Sequence, residues 1–130
     1  MRQATIPAMT LAGIARVIDG RRDMIRLSLK ACAHCALCAD SCFQYRNSGR
    51  DPAWSPAYKA VNSIGKIWRS RGRLSDEEYE TIRELVWDRC VLCMRCACPV
   101  GISIPSLIAA ARSACREKGV WRWYTTRRNA

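Results

Sequence analysis

The chain has 130 residues, of which 49% are hydrophobic and 25% charged, a composition that predicts one folded domain and excludes a disordered chain. Its apolar runs are short and interrupted by Arg or Asp, so no segment is expected to span a bilayer. Arg16 and Asp19 also break the best candidate for the apolar stretch of a signal peptide. We therefore expect a cytoplasmic location, either free or on the cytoplasmic face of a membrane complex.

The formal net charge is +11, from 22 basic and 11 acidic residues. Such a charge predicts contact with an acidic partner protein, an anionic membrane surface or nucleic acid. The densest basic run, RSRGR at residues 69–73, is more typical of a solvated surface than of a phosphate site, which makes nucleic acid the least favoured of the three.

The N-terminal part of the chain is expected to be helical up to the first group of cysteines. Apolar residues at helical spacing predict one helix over residues 8–18 and another over residues 21–31, separated by Asp19 and Gly20. The apolar stripe of the first helix consists of Met9, Leu11, Ile14, Val17 and Ile18. A cysteine loop follows at residues 32–42, and then a polar connector rich in turn residues.

Two more helices are predicted before the second group of cysteines. The third helix begins at Ser55, with Pro56 at its first position, and ends by Gly72. Its inward-facing residues are Tyr58, Val61, Ile64 and Trp68. Ser75 and Glu78 form a capping box that starts the fourth helix. The residues that this helix buries are Tyr79, Ile82, Leu85 and Val86.

The last helix is predicted to begin at Pro105 and to end at Gly119. Its apolar stripe consists of Leu107, Ile108, Ala111 and Ala114. No segment shows the alternating pattern of a strand, so the predicted fold class is all-α. The order of helix, cysteine loop, two helices, cysteine loop and helix is a pseudo-repeat.

Nine cysteines are the strongest functional signal in the chain. Eight of them form two groups: Cys32, Cys35, Cys38 and Cys42, and then Cys90, Cys93, Cys96 and Cys98. An odd number of closely spaced thiols favours metal binding over disulfides. Three cysteines at successive two-residue spacings can surround one face of an iron–sulfur cluster, whose fourth ligand comes from the other group in two-cluster ferredoxins. A zinc site needs only two separated Cys-x₂-Cys pairs, so iron–sulfur chemistry is favoured over zinc.

The stretches CAHCALCADSC and CVLCMRC…CPVGI, with SPAYKA and LSDEEYETI between them, resemble the α-helical ferredoxin family. This dicluster module occurs in the small iron–sulfur subunits of heterodisulfide reductase and of anaerobic glycerol-3-phosphate dehydrogenase. It also forms the C-terminal half of succinate dehydrogenase iron–sulfur subunits. The resemblance covers residues 30–115. It implies helices that flank two cluster-binding loops, two [4Fe–4S] clusters and electron transfer between partner subunits.

The ligand sets that the resemblance implies each draw on both loops. One cluster would be held by Cys32, Cys35, Cys38 and Cys98. The other would be held by Cys90, Cys93, Cys96 and Cys42.

The second loop departs from the family pattern at its end. Only Ala97 separates Cys96 from Cys98, where the family has three residues between its third and fourth cysteines. The two thiols must then serve different clusters across a short link, or Cys98 is not a ligand and its cluster is [3Fe–4S] or recruits another side chain. We expect Cys98 to be a ligand because the Cys-Pro ending is retained. A second departure is small: Phe43 follows Cys42, where the family has proline.

Three further features each have two interpretations. His34 could ligate iron, but is expected to tune the cluster or to lie at the surface. Cys115 could be recruited as a ligand if Cys98 is not one, but among apolar neighbours it is expected to be a buried inert thiol. The tail could dock on a membrane or partner through its aromatic and basic residues, or be a disordered end. Those residues are Trp121, Arg122, Trp123, Tyr124, Arg127 and Arg128.

The sequence therefore predicts an electron-transfer subunit without a substrate site of its own. Its expected segments are an N-terminal helical docking segment (residues 1–31), a dicluster domain (residues 32–118) and an aromatic and basic tail (residues 119–130). Partners would be a flavoprotein, a cysteine-rich disulfide-reducing subunit or a haem- or quinone-linked membrane subunit. The alternatives are a zinc-binding interaction or RNA-binding module and an iron–sulfur enzyme with an open iron site.

Overall fold

The computed structural model describes residues 6–121, in which seven α-helices and no strand are found, so the predicted all-α fold is confirmed. The α-helices are α1 (Ala8–Gly20), α2 (Arg22–Ala31), α3 (Phe43–Asn47), α4 (Pro56–Val61), α5 (Ile64–Ser70), α6 (Asp76–Arg83) and α7 (Ile104–Lys118). Short 3₁₀ turns cover Leu37–Ser41 and Pro52–Trp54, and a π-helical turn at Glu84–Asp88 extends α6. None of the helices in the described part of the chain is both long and apolar enough to cross a membrane.

Helix α7 is the central element of the fold. It packs against α1, α4, α5 and α6, most extensively against α1. The side chain of Ser103 accepts a hydrogen bond from the Ser106 N–H at its start, and Gly119, with φ +88°, ends it. The fully buried aliphatic residues around α7 include Ile14, Ile25, Ile64, Ile67, Ile82 and Ile108. This core is the rigid base from which both cysteine loops project.

The first two helices belong to the same core as α7. Ile14 and Ile18 of α1 and Ile25 of α2 are buried in it. Met9, which the sequence placed on the inner face of α1, is instead 87% exposed, because it lies in the first turn, beyond the buried part of the helix. The segment boundaries at residues 31 and 118, and the docking role of residues 1–31, stay predictions.

The cap that Ser75 was predicted to form at the start of α6 is confirmed. The Ser75 hydroxyl accepts a hydrogen bond of 3.2 Å from the Glu78 N–H. Tyr79 and Ile82 are fully buried, and Leu85 and Val86 follow them into the core. The π-helical turn at the end of this helix leads directly to Cys90.

The prediction of one continuous third helix that begins at Ser55 and ends by Gly72 is wrong. Ser55 does cap a helix, but Asn62 and Ser63 break it into α4 and α5. Asn62 Nδ2 donates to the Tyr58 carbonyl at 2.9 Å and Ser63 Oγ to the Ala60 carbonyl at 3.3 Å. Such side-chain bonds compete with helix hydrogen bonds and explain the break. The break leaves Tyr58 41% exposed, while Val61 and Trp68 are half-buried.

Candidate metal centre

The two cysteine loops share one backbone conformation. In the first loop His34 and Ala36 have φ of +55° and +63°, and in the second Leu92 and Met94 have φ of +56° and +65°. These residues occupy equivalent positions, two and four residues after the first cysteine of each loop. A left-handed conformation costs a non-glycine residue about 1–3 kcal/mol. Because the side chains differ between the loops, the repeated conformation indicates a shared demand on the backbone, which places three cysteines of each loop in the lining of one cavity.

The first cavity is lined by the thiols of Cys32, Cys35, Cys38 and Cys98. The first three come from one loop, and Cys98 comes from the other. Burial raises the pKa of the Cys38 thiol, although the backbone N–H of Ala57, at the start of α4, donates toward this sulfur and acts in the opposite direction. The structure thus gathers the four cysteines of one implied ligand set around one space.

The second cavity is lined by the thiols of Cys42, Cys90, Cys93 and Cys96. Here Cys42 is the residue that crosses from the first loop. Burial raises the pKa of the Cys96 thiol to about 11. The remaining lining is largely apolar: Phe43, Pro56, Val91, Leu92, Met94, Ile104, Pro105 and Ile108. This cavity gathers the other implied set, and ligation by either set stays a prediction.

The link between the two cavities is short on one side. Cys96 lines the second cavity and Cys98 the first, so the chain crosses between them through Ala97 alone. Across the first loop, the crossing from Cys38 to Cys42 takes three residues, within the 3₁₀ turn Leu37–Ser41. Ile104, at the start of α7, lines both cavities. The two cavities are therefore neighbours separated by one residue of backbone and one core side chain.

Lys59 is a site residue that the sequence analysis did not identify. Its side chain is only 2% exposed and lines the second cavity. Its Nζ lies 3.8 Å from the sulfur of Cys42 and donates to the carbonyl oxygen of Arg89. Its helical spacing from the buried residues Pro56 and Ser63 was the signal that could have found it.

The burial of Lys59 bears on whether an anionic cluster fits the second cavity. Across residues 6–121, the carboxylates in ion pairs all pair with other basic residues, and none lies within 4.0 Å of Lys59. A buried cation without an anionic partner costs several kcal/mol. Four thiolates around a [4Fe–4S] cluster would supply the missing negative charge. The donor set, the left-handed turns and this cation all fit the group.

Two arginines fix the start of the second loop. Arg112 of α7 donates to the carbonyl oxygens of Val86 and Cys90, each at 2.8 Å. Arg89 lies over the ring of Trp54, 4.8 Å from its centre, and donates to a carbonyl oxygen of the same 3₁₀ turn at 3.1 Å. These contacts attach the residues beside Cys90 to α7 on one side and to the connector before α4 on the other.

The remaining candidate residues lie apart from the thiol clusters or at their edge. His34 is exposed at the mouth of the first cavity, with Nδ1 4.0 Å from the Cys32 sulfur. Cys115 is fully buried on α7 and lines neither cavity. Of the six aromatic and basic residues named in the tail only Trp121 is described, and residues 122–130 lie outside the described part of the chain. Within that part, no three His, Cys, Asp or Glu side chains come close enough together to hold a single metal ion.

Comparison with known proteins identifies a family. The model of the family described as "4Fe-4S dicluster domain" matches residues 28–102, which include both cysteine loops and more than half of the chain. No curated protein and no solved structure shows a significant match.

Proposed function

This chain belongs to the 4Fe–4S dicluster domain family, and from that membership we propose that it relays single electrons through two [4Fe–4S] clusters between partner proteins. One cluster would be bound by Cys32, Cys35, Cys38 and Cys98, and the other by Cys42, Cys90, Cys93 and Cys96. The observation that carries this proposal is the sorting of eight thiols into two cavities, each lined by three from one loop and one from the other.

When bound, each cluster would supply a site that accepts and releases one electron. The protein's own residues hold the thiolates and limit the access of water. Ile104 and Ile108, which are almost fully buried, form an apolar wall between the thiols and the core. The Ala57 N–H directed at Cys38 stabilises negative charge on that sulfur. Hydrogen bonds and burial of this kind are the means by which a protein sets cluster potentials.

The proposed partners are other redox proteins. Exposed apolar side chains surround both cavities, with Phe43, Val91 and Met94 at the second and Val100 at the first. Together with the net charge of +11, this surface suits an acidic partner surface with an apolar centre. The partner classes that we propose are a flavoprotein, a cysteine-rich disulfide-reducing subunit and a haem- or quinone-linked membrane subunit. A complex of the heterodisulfide reductase type is one such assembly.

The experiment that tests the function is the measurement of iron, acid-labile sulfide and zinc per chain after anaerobic purification. About eight iron and eight sulfide per chain are expected for two Cys₄-bound clusters. About seven iron would indicate a [3Fe–4S] centre and remove Cys98 from the ligand set. Zinc without sulfide would overturn the electron-transfer function and favour the zinc-binding module instead.

A further inference from the structure

The two cavities differ in charge. Lys59 lies in the wall of the second cavity, where it is almost fully buried and 3.8 Å from the sulfur of Cys42. The first cavity has no lysine or arginine among its lining residues within the described part of the chain. The polar groups that contact its thiols include the backbone N–H of Ala57, at Cys38, and the exposed imidazole of His34, at Cys32. The environment of one cluster site is therefore more positive than that of the other.

Helix α4 produces this difference because it contacts both cavities. Its first turn presents the N–H of Ala57 to Cys38, and the side chain of Lys59, two residues later, reaches Cys42. The hydrogen bond from Lys59 to the carbonyl oxygen of Arg89 fixes the ammonium group at this position. Because the ammonium is held on a rigid helix and away from solvent, its charge is poorly screened.

We propose that Lys59 makes the cluster held by Cys42, Cys90, Cys93 and Cys96 the higher-potential member of the pair, so that an electron delivered to the first cluster passes to the second. The inference rests on the proposed function. Reduction adds one negative charge to a cluster, and a nearby buried cation stabilises that charge. In the transfer itself the first cluster is oxidised by one electron and the second is reduced by one, with no other reactant.

The test compares the wild type with Lys59→Met, which removes the charge, and with Lys59→Arg, which retains a cation. Lys66→Met is the matched control, since Lys66 is a half-exposed lysine of α5 that lines neither cavity. Iron and sulfide are counted first, and the two reduction potentials are then measured by EPR-monitored titration with dithionite. Cys35→Ser, at a thiol of the first cavity only, identifies through its altered signal which potential belongs to which cluster.

Lys59→Met is expected to lower the potential of the second cluster, and thus to decrease the equilibrium constant for transfer from the first to the second at least tenfold, which corresponds to about 59 mV for a one-electron couple. Lys59→Arg should retain most of the wild-type difference, and Lys66→Met all of it. If Lys59→Met loses iron, Lys59→Gln, which keeps a donor for the Arg89 carbonyl, replaces it.

Two results would overturn the inference. One is a fully loaded Lys59→Met or Lys59→Gln protein whose potentials match those of Lys66→Met. The other is a wild type in which the first cluster has the higher potential. Both leave the proposed function intact, whereas a wild-type protein without iron and sulfide would defeat the function itself.

Discussion

The guanidinium of Arg112 donates a hydrogen bond of 2.8 Å to the carbonyl oxygen of Cys90. The same side chain donates to the carbonyl oxygen of Val86, in the π-helical turn that precedes the loop. One residue of the central helix therefore holds both the end of α6 and the first cysteine of the second loop. Since hydrogen bonds from a charged donor contribute about 1.5–3 kcal/mol each, this contact fixes the start of the loop.

Arg112→Met is expected to destabilise the fold by about 2 kcal/mol and to lower iron content by loosening Cys90. Thermal unfolding and iron per chain are the measurements. Arg116→Met is the control, because Arg116 is an exposed residue one turn further along α7 whose guanidinium lies over the Trp87 ring, 5.5 Å from its centre. Equal iron and equal stability in the two variants would show that the loop does not depend on Arg112.

The elements of the fold could be predicted where a local signal was strong. The hydroxyl of Ser75 determines the start of α6, and the backbone of Gly119 determines the end of α7. Both act through contacts within a few residues. The break after α4 was not predictable from apolar spacing, because it results from Asn62 and Ser63 bonding back to carbonyl groups of their own helix. Short turns such as Pro52–Trp54 contain too few residues to show a periodic pattern, so they were not predicted.

In the site, the thiols were predictable from the sequence, whereas the charged residues around them were not. Cysteine spacing identified the eight thiols that line the cavities, because a cluster ligand must be a cysteine at a suitable interval. Lys59, Arg89 and Arg112 were not identified, because each acts through a carbonyl or sulfur far away in sequence. The contacts of the two arginines give no spacing signal, and the left-handed turns at Leu92 and Met94 occur in residues that do not favour them.

The hydroxyl of Tyr79 gives a prediction about the core away from the clusters. Tyr79 is fully buried and donates to the carbonyl oxygen of Gly72 at 2.7 Å, and burial raises its pKa. Tyr79→Phe removes this bond and is expected to cost about 1 kcal/mol, or roughly 4 °C in melting temperature, with unchanged iron content. Tyr58→Phe, at a 41% exposed position, should change the melting temperature much less. A comparable shift in both variants would contradict the prediction.

Cys98 and Cys115 form a matched pair for testing the ligand set. Cys98 lines the first cavity, whereas Cys115 lies in the core and lines neither. Cys98→Ala is expected to lower iron from about eight to about seven per chain or fewer, because one iron loses its thiolate. Cys115→Ala should keep all of the iron. If the Cys115 variant loses iron and the Cys98 variant does not, the fourth ligand of the first site has been assigned to the wrong thiol.

The buried thiol of Cys115 also predicts a dependence on pH. Burial raises its pKa from about 9 to about 12, so the folded state favours the neutral thiol. The stability that this contributes is fully present below pH 9 and is lost as the pH rises toward 12. The melting temperature of the wild type should therefore fall relative to that of Cys115→Ala as the pH rises from about 9 toward about 12. Parallel curves for the two proteins would indicate that the thiol titrates as it does in the unfolded chain.

The single residue between Cys96 and Cys98 predicts strong coupling between the clusters. Two residues of extended backbone span at most about 7 Å, so the ligand atoms of the two sites are tied together closely. The fully reduced protein should show an EPR spectrum broadened by interaction between the two spins. Insertion of two residues after Ala97 should narrow the EPR lines, because the longer link no longer holds the two clusters close together.

The control for this variant is the same insertion after Gly49, an exposed residue with φ +73° in the connector between α3 and α4. Both proteins should bind the same amount of iron as the wild type, since every thiol is retained. Broadening that persists equally in both variants would mean that the separation of the clusters is set by the core, through Ile104 and the crossing from Cys38 to Cys42, and that the short link is not its cause.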